Sequence, residues 1–185
     1  MRRVLVQAGI CACGIGLAYM ILRGFPFLCD RAEGRPTHTL ELRNLGVRAI
    51  SARDVPVAAL LLFDDSIIGR GFNTVRRDGN AGGHAEINAI SDAMRSLGID
   101  ALNKLDRDRL RLISTFEPCA MCKGALLEYH IRNVRYIEAK AISHWLREDL
   151  RAVSYELRRR RIGPAGLQDS LFRLHPAYDP ARADH

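Results

Sequence analysis

Hydrophobic and polar positions along this chain follow two periods, and the changes between them predict the order of the first elements. Residues 39 to 55 carry apolar side chains at helical spacing. The next stretch, PVAALLLFDDSIIGRGFNTV (56 to 75), is typical of two strands joined by a tight turn at Asp64 and Asp65. We therefore expect a helix that leads into a β-hairpin.

The helical period returns after the hairpin and then gives way to a strand. Residues 84 to 97 are predicted to form a helix that ends at Gly98. Its apolar face is predicted to consist of Ile87, Ile90, Met94 and Leu97. The branched run RLRLISTF (109 to 116) predicts a buried strand. Pro118 is predicted to open the next helix, which runs to about His130.

The last two predicted elements of the body are a strand and a long amphipathic helix. The stretch NVRYIEA (133 to 139) predicts the strand, and residues 143 to 161 predict the helix. One helix face carries Leu146, Leu150, Val153 and Leu157, and the arginine run 158 to 161 is interpreted as a solvated helix end. Strands that alternate with helices indicate an α/β layered domain.

The N-terminal segment differs from the rest of the chain. Residues 4 to 22 form a run of 19 residues without a charged side chain, which as a helix would just cross a hydrocarbon core of about 30 Å. A single-pass membrane anchor of uncertain orientation, a cleaved signal peptide and a misassigned start codon remain open; without an anchor the protein is expected in the cytoplasm. We predict an anchor or signal segment over 1 to 30, a polar tether over 30 to 38, and one domain over 39 to 185.

Composition and charge change this picture little. A hydrophobic content of 48% with 26% charged residues is typical of a globular domain. The net charge is +7, but residues 1 to 30 hold three arginines and one aspartate, so the remainder carries +5. That value is only mildly basic, and it gives weak support for nucleic-acid binding.

Candidate chemistry lies in two short stretches, GGHAEINAI (82 to 90) and TFEPCAMCKGALL (115 to 127). Catalytic zinc takes three protein ligands and keeps a fourth position open, and His84, Cys119 and Cys122 would supply one nitrogen and two sulfurs. Both stretches begin predicted helices, where the helix dipole stabilises thiolates. Glu86 would then remain unligated beside the metal, where a carboxylate can move protons.

With these residues the chain resembles the zinc-dependent cytidine and nucleobase deaminase superfamily, whose signature is histidine-x-glutamate followed by proline-cysteine-x-x-cysteine. The resemblance covers roughly residues 39 to 140 and implies a three-layer fold, a mixed central sheet with helices on both faces. It implies zinc held by His84, Cys119 and Cys122, and hydrolytic deamination in which Glu86 moves the protons. The stretch EPCAMCKGALLEYHIRNVRY (117 to 136) looks most like the tRNA adenosine deaminase and guanine deaminase branch.

The same resemblance implies substrate contacts at Asn73 and Ala85 and self-association into dimers or tetramers. The expected substrate is a nucleobase, a nucleoside or a base in tRNA, with adenine or guanine favoured. Where the branch carries aspartate-proline-threonine-alanine before the histidine, this chain has DGNAGG (78 to 83), and residues after about 140 match neither subfamily. A cytidine-type or deoxycytidylate-type deaminase and a non-catalytic membrane-tethered zinc domain are the alternatives.

Overall fold

The computed structural model describes residues 35 to 160 and 166 to 175 of the chain. The predicted anchor or signal segment over 1 to 30 lies outside these residues, as does most of the predicted tether. Within the part that is described, no helix is both long enough and apolar enough to cross a membrane. The described residues divide into two compact units, with the boundary between Ala141 and Ile142.

The described residues of the first unit form nine helices and strands, which in chain order are α1 Pro36–Ser51, β1 Ala58–Phe63, β2 Ser66–Phe72, α2 Val75–Asp78, α3 Ala85–Leu97, α4 Ile99–Lys104, β3 Leu110–Phe116, α5 Ala120–Glu128 and β4 Asn133–Glu138. A short 3-10 turn, Arg107–Arg109, precedes β3. The second unit contains α6 Ile142–Arg158 and α7 Leu167–Arg173.

The four strands form one mixed sheet in the order β2-β1-β3-β4. Strand β1 is antiparallel to both β2 and β3, and β3 is parallel to β4. The register pairs Ala58 with Phe72 and Ala59 with Ser114, so the C-terminal ends of β2 and β3 lie at the same end of the sheet. The predicted α/β architecture and the predicted hairpin with its turn at Asp64 and Asp65 are confirmed.

Alternate residues of β1 enter two different hydrophobic clusters, one on each face of the sheet. Ala59 and Leu61 pack in a cluster that includes the buried alanines of α3. Ala58 and Leu60 pack with Leu42 and Leu45 of α1. Because successive side chains of a strand point to opposite faces, this pattern places helices on both sides of the sheet, in three layers.

Helix α1 begins earlier than the sequence pattern predicts. The polar stretch 30 to 38 was expected to be a tether, but the helix begins at Pro36. A proline fits the first helical turn because its missing N–H would have no intrahelical acceptor there. The tether prediction is therefore wrong for residues 36 to 38.

The buried face of α3 also differs from the predicted one. Ile90 is buried as expected, but Leu97 is 41% exposed and Ile87 is only half-buried. The buried positions are Ala85, Glu86, Ala89, Ile90 and Ala93. Small residues fill this interface because α3 lies very close to β2. A Cβ atom on Gly71 would overlap the backbone oxygen of Ala85, and one on Gly69 would overlap that of Ala89.

In the second unit, helix α6 spans Ile142–Arg158 and ends three residues before the predicted boundary. The predicted apolar face is present, but its members Leu146, Leu150, Val153 and Leu157 are 50% to 69% exposed. Trp145 is the buried residue of this helix.

Candidate metal centre and active site

Three predicted ligands meet at the N-termini of α3 and α5. His84 is the N-cap residue of α3, Cys119 is the N-cap residue of α5, and Cys122 lies in the first turn of α5. The His84 Nδ1 atom lies 3.5 Å from Cys119 Sγ and 3.6 Å from Cys122 Sγ, and the two sulfurs are 3.5 Å apart. Ordinary zinc–ligand bonds at tetrahedral angles require separations of about 3.6 Å for nitrogen to sulfur and about 3.8 Å for sulfur to sulfur. The three donor atoms therefore fit one zinc ion.

Backbone and side-chain bonds close the loop that delivers His84. The N–H of Thr74, just after β2, donates to the Gly83 oxygen at 2.8 Å. Gly83 has no room for a side chain, because a Cβ atom there would lie 2.8 Å from Thr74 Oγ1. The amide of Asn88 donates to the Phe72 oxygen at 2.8 Å and to Thr74 Oγ1 at 3.1 Å. The sequence pattern did not reveal the role of Asn88, since its partners lie in a different element.

The two cysteines follow a short segment that is braced against the end of β4. The Glu117 N–H donates to the Glu138 oxygen at 2.9 Å, and the Lys140 N–H donates to a Glu117 carboxylate oxygen at 2.9 Å. The Lys140 ammonium donates to the Pro118 oxygen at 3.1 Å. Pro118 was predicted to open the helix, but it precedes the N-cap Cys119 and lies outside α5, Ala120–Glu128. The carbonyl of Pro118 is thereby used to hold the segment in place.

The helix after the cysteines also ends earlier than predicted. It ends at Glu128 rather than near His130. His130 adopts a backbone φ of 54°, in the left-handed region, which interrupts helical geometry before β4 begins.

The pKa values of the two cysteine thiols are shifted in opposite directions. The hydrogen bond with Cys122 and the nearby His84 ring lower the pKa of Cys119 to about 5, against the opposing effect of burial. The hydrogen bond to Cys119, burial and the negative charge of Glu86 raise the pKa of Cys122 far above its ordinary value. Without a cation, the protein therefore favours a thiolate at Cys119 and a neutral thiol at Cys122, whereas a divalent cation would stabilise both sulfurs as thiolates.

Glu86 lies beside the three donor atoms and is only 3% exposed. One carboxylate oxygen, Oε2, accepts from the Cys122 thiol at 3.3 Å. The other oxygen, Oε1, accepts from the hydroxyl of Ser114 at 3.3 Å, and Ser114 is fully buried at the end of β3. Neither partner is a cation, and a buried carboxylate without one is costly unless a positive charge is brought to it. Ser114 was missed in the sequence because a serine inside a strand carries no motif.

The two residues predicted to contact substrate, Asn73 and Ala85, form a hydrogen bond with each other. The Asn73 side-chain oxygen accepts from the Ala85 N–H at 2.9 Å, which satisfies one N–H group at the start of α3. Asn73 is 8% exposed and Ala85 is fully buried. This bond gives Asn73 a role in orienting the helix that carries His84 and Glu86. Substrate contact by Asn73 and Ala85 stays a prediction.

Comparison with known proteins matches residues 38 to 138 to the cytidine and deoxycytidylate deaminase zinc-binding region. Over 101 residues the chain is 37% identical to a tRNA-specific adenosine deaminase of Agrobacterium fabrum, covering 54% of this chain and 63% of that protein. Over 93 residues it is 41% identical to a tRNA(Ile)-lysidine synthase of Deinococcus radiodurans, covering 50% of this chain and 15% of that protein. The chain thus spans less than two thirds of the length of these curated relatives.

Among solved structures, the guanine deaminase of Bacillus subtilis has a similar fold. The superposition has a TM-score of 0.56 at 24% sequence identity and covers 74% of this chain and 91% of that one. The similarity supports the α/β arrangement of a mixed sheet between helices.

Proposed function

Because the chain belongs to the cytidine and deoxycytidylate deaminase zinc-binding family, we propose that it hydrolyses the exocyclic amino group of a purine base and releases ammonia. The observation that carries this proposal is the triangle of His84, Cys119 and Cys122 with an unligated carboxylate, Glu86, at its side. A structural zinc site uses all four positions for protein ligands, whereas three ligands leave one position for the reaction.

His84, Cys119 and Cys122 would hold the zinc ion, which supplies a Lewis acid that lowers the pKa of a water molecule to about 7. Glu86 takes one proton from the attacking water and delivers it to the ring nitrogen next to the amino-bearing carbon. It then takes the remaining proton from the hydroxyl formed on that carbon and delivers it to the amine, so that the C–N bond breaks, a carbonyl forms and ammonia leaves. Burial of Glu86 excludes bulk water, so the proton stays between the carboxylate and the substrate. The hydroxyl of Ser114 holds Oε1, which leaves Oε2 oriented towards the sulfurs.

Adenine in RNA is the substrate that we propose first. The support is the 37% identity to a protein named as a tRNA-specific adenosine deaminase. The family match runs from residue 38 to residue 138 and therefore includes both motif regions. A guanine-type reaction uses the same proton transfers and follows from the sequence resemblance alone.

Ammonia release from a panel of substrates tests the proposal. The panel contains free bases, nucleosides, nucleotides, single-stranded RNA and tRNA, each with adenine, guanine or cytosine as the reacting base. Release from an adenine-containing RNA that is abolished in Glu86→Gln supports the proposal. Zinc-loaded protein that releases no ammonia from any of them would support the alternative, a non-catalytic zinc domain.

For the N-terminal residues we propose that segment 1 to 30 is an anchor or signal and that the catalytic part begins after it. The support is the 19-residue uncharged run 4 to 22, which contains no proposed ligand. Homodimer formation is proposed on the resemblance to the superfamily. Sedimentation of the full-length chain with membranes, and its mass in detergent, test these two points.

A further inference from the structure

The guanidinium groups of Arg48 and Arg77 lie against the Phe72 ring, and two more exposed arginines, Arg53 and Arg76, are next to the buried Asp54, the first in the chain and the second through a backbone hydrogen bond. We name these four residues the Phe72 arginine cluster. The guanidinium carbon of Arg48 lies 4.6 Å from the centroid of the Phe72 ring, and that of Arg77 lies 5.3 Å from the same centroid. One ring therefore carries two guanidinium groups.

Asp54 relates the other two arginines, Arg53 and Arg76, to this region. It follows Arg53 in the chain and binds the backbone of Arg76. Its carboxylate accepts from the backbone N–H of Arg76 at 3.1 Å and from that of Arg77 at 3.1 Å, which orients the short helix α2. Arg53 precedes Asp54 in the chain and has a backbone φ of 58°, an uncommon value for a residue other than glycine. Both Arg53 and Arg76 have exposed side chains.

The cluster carries an excess of positive charge. Asp54 is buried and its oxygens are taken by backbone N–H groups, and Asp78 pairs with Arg77 at 2.7 Å. Within residues 35 to 160 and 166 to 175, no ion pair links a carboxylate to Arg48, Arg53 or Arg76. Four arginines against two aspartates leave a local charge of +2. Exposed guanidinium groups match the oxygens of a phosphate in geometry and charge.

The cluster lies at the same end of the sheet as Glu86 but not in contact with it. Phe72 on β2 pairs with Ala58 on β1, and β1 in turn pairs with β3. Strand β3 carries Ser114, whose hydroxyl donates to Glu86. With strands about 4.8 Å apart, the backbones of Phe72 and Ser114 are separated by roughly 10 Å. Phe72 also packs on the α1 face of the sheet, whereas Glu86 belongs to α3 on the other face. A base held at Glu86 would not touch the arginines.

We propose that the Phe72 arginine cluster binds a phosphate group of the substrate strand that flanks the reacting nucleotide. This proposal rests on the proposed deaminase function and narrows its substrate class to phosphate-bearing nucleotides and, given the separation from Glu86, to strands rather than free bases. Phosphate contacts fix the register of a nucleic acid on a protein without reading its sequence. The cluster would accordingly increase affinity for any strand and position one base of it over Glu86.

Arg53→Gln/Arg76→Gln is the variant that tests the site. It removes two charges but no backbone bond and no contact with the Phe72 ring, so the packing of Arg48 and Arg77 on that ring is retained. The matched control is Arg95→Gln/Arg132→Gln, which removes the same charge from exposed positions near the end of α3 and before β4. Zinc content and melting temperature are measured for both double variants.

Binding of a short fluorescent single-stranded RNA is measured by anisotropy at a series of salt concentrations. The test variant should bind roughly a hundredfold more weakly, because it removes two charged donors and a hydrogen bond to a charged group is worth about tenfold each. Its slope of log affinity against log salt should be shallower by about 0.7, the value for one lost phosphate contact with a single strand. The control should retain both the affinity and the slope of the natural protein. Equal losses in the two variants, or none in the test variant, would overturn the proposal.

Two further comparisons complete the test. The first distinguishes a single phosphate from a strand, and the second distinguishes failure of the phosphate site from failure of the deaminase function. If a mononucleotide displaces the fluorescent RNA, and does so less well in the test variant, a single phosphate is sufficient for binding. If only unlabelled RNA displaces it, the site requires a strand. Because the binding assay needs no turnover, cluster-dependent RNA binding without ammonia release would refute the deaminase function and leave the phosphate site standing. Ammonia release from RNA with unchanged binding and KM in the test variant would refute the phosphate site alone.

Discussion

The Ser114 hydroxyl lies 3.3 Å from Oε1 of Glu86, and both side chains are buried. The contact joins the end of strand β3 to the first turn of helix α3, 28 residues apart in the chain. This hydrogen bond connects the sheet directly to the carboxylate that is proposed to move protons.

Replacing Ser114 with alanine should lower kcat by roughly tenfold, because a hydrogen bond to a charged group contributes about 1.5–3 kcal/mol. KM and zinc content should change little, since neither depends on this hydroxyl. Ser114→Thr keeps the hydroxyl and should recover part of the rate. The control is Thr115→Val, which removes the neighbouring hydroxyl that accepts from the Ala58 N–H and should affect stability rather than kcat. Steady-state kinetics in which Ser114→Ala equals the natural protein would exclude a positioning role.

Glu86→Gln keeps the shape of the side chain but removes its ability to accept a proton. We expect turnover to fall at least about a hundredfold, the lower range for general acid–base catalysis, while zinc remains bound. Glu128→Gln at the end of α5 is the matched control and should be fully active. If Glu86→Gln turned over at a near-normal rate, another group would have to move the proton.

The purified protein should contain about one zinc per chain, and Cys119→Ala or Cys122→Ala should lose it. Loss of a ligand bound only in the folded state also lowers stability, by about 4 kcal/mol where free zinc exceeds its Kd a thousandfold. Chelation of the natural protein should lower its melting temperature in the same direction. Cys29→Ser, at a position with no proposed ligand role, should keep the metal. Metal analysis that finds no zinc in protein purified without chelator would contradict the assignment.

Gly71→Ala should destabilise the fold and weaken zinc binding, although Gly71 is neither a ligand nor exposed. A Cβ atom there would overlap the backbone oxygen of Ala85, so α3 would have to move away from β2. Overpacking of this kind typically costs about 1–3 kcal/mol. Gly124→Ala, on α5 where a Cβ atom meets nothing within 4 Å, should instead raise stability by up to about 1 kcal/mol. Denaturant unfolding and a zinc competition titration compare the two variants.

Removing residues 1 to 30 should leave zinc content and activity on a small substrate unchanged, because these residues contain no proposed ligand. The full-length chain should sediment with membranes, and the truncated chain should stay in the supernatant. Aggregation of the truncated chain, or loss of its zinc, would show that this segment packs against the folded domain and does not act as an anchor.

Much of the fold and the proposed metal ligands could be predicted from the sequence, because the relevant signals are local. Strand and helix periods depend on which neighbours in the chain are apolar, and they located the hairpin, β3 and β4 correctly. The motif residues are also local, because Glu86 follows His84 and Cys122 follows Cys119 within about one helical turn of the chain. The predicted ligands His84, Cys119 and Cys122 do come together in the structure.

Only the tertiary structure decided the contacts between elements. The burial of alanines rather than of Ile87 and Leu97 on α3 follows from the close approach of β2, which no periodicity in α3 encodes. The hydrogen bond from Ser114 to Glu86 and the arrangement of arginines around Phe72 depend on the order in which the strands pair. Local patterns specify which residues form an element and which chemistry it carries. The distances between elements are set by packing across the sheet, because that packing balances the close approach of backbones against the volume of the side chains between them.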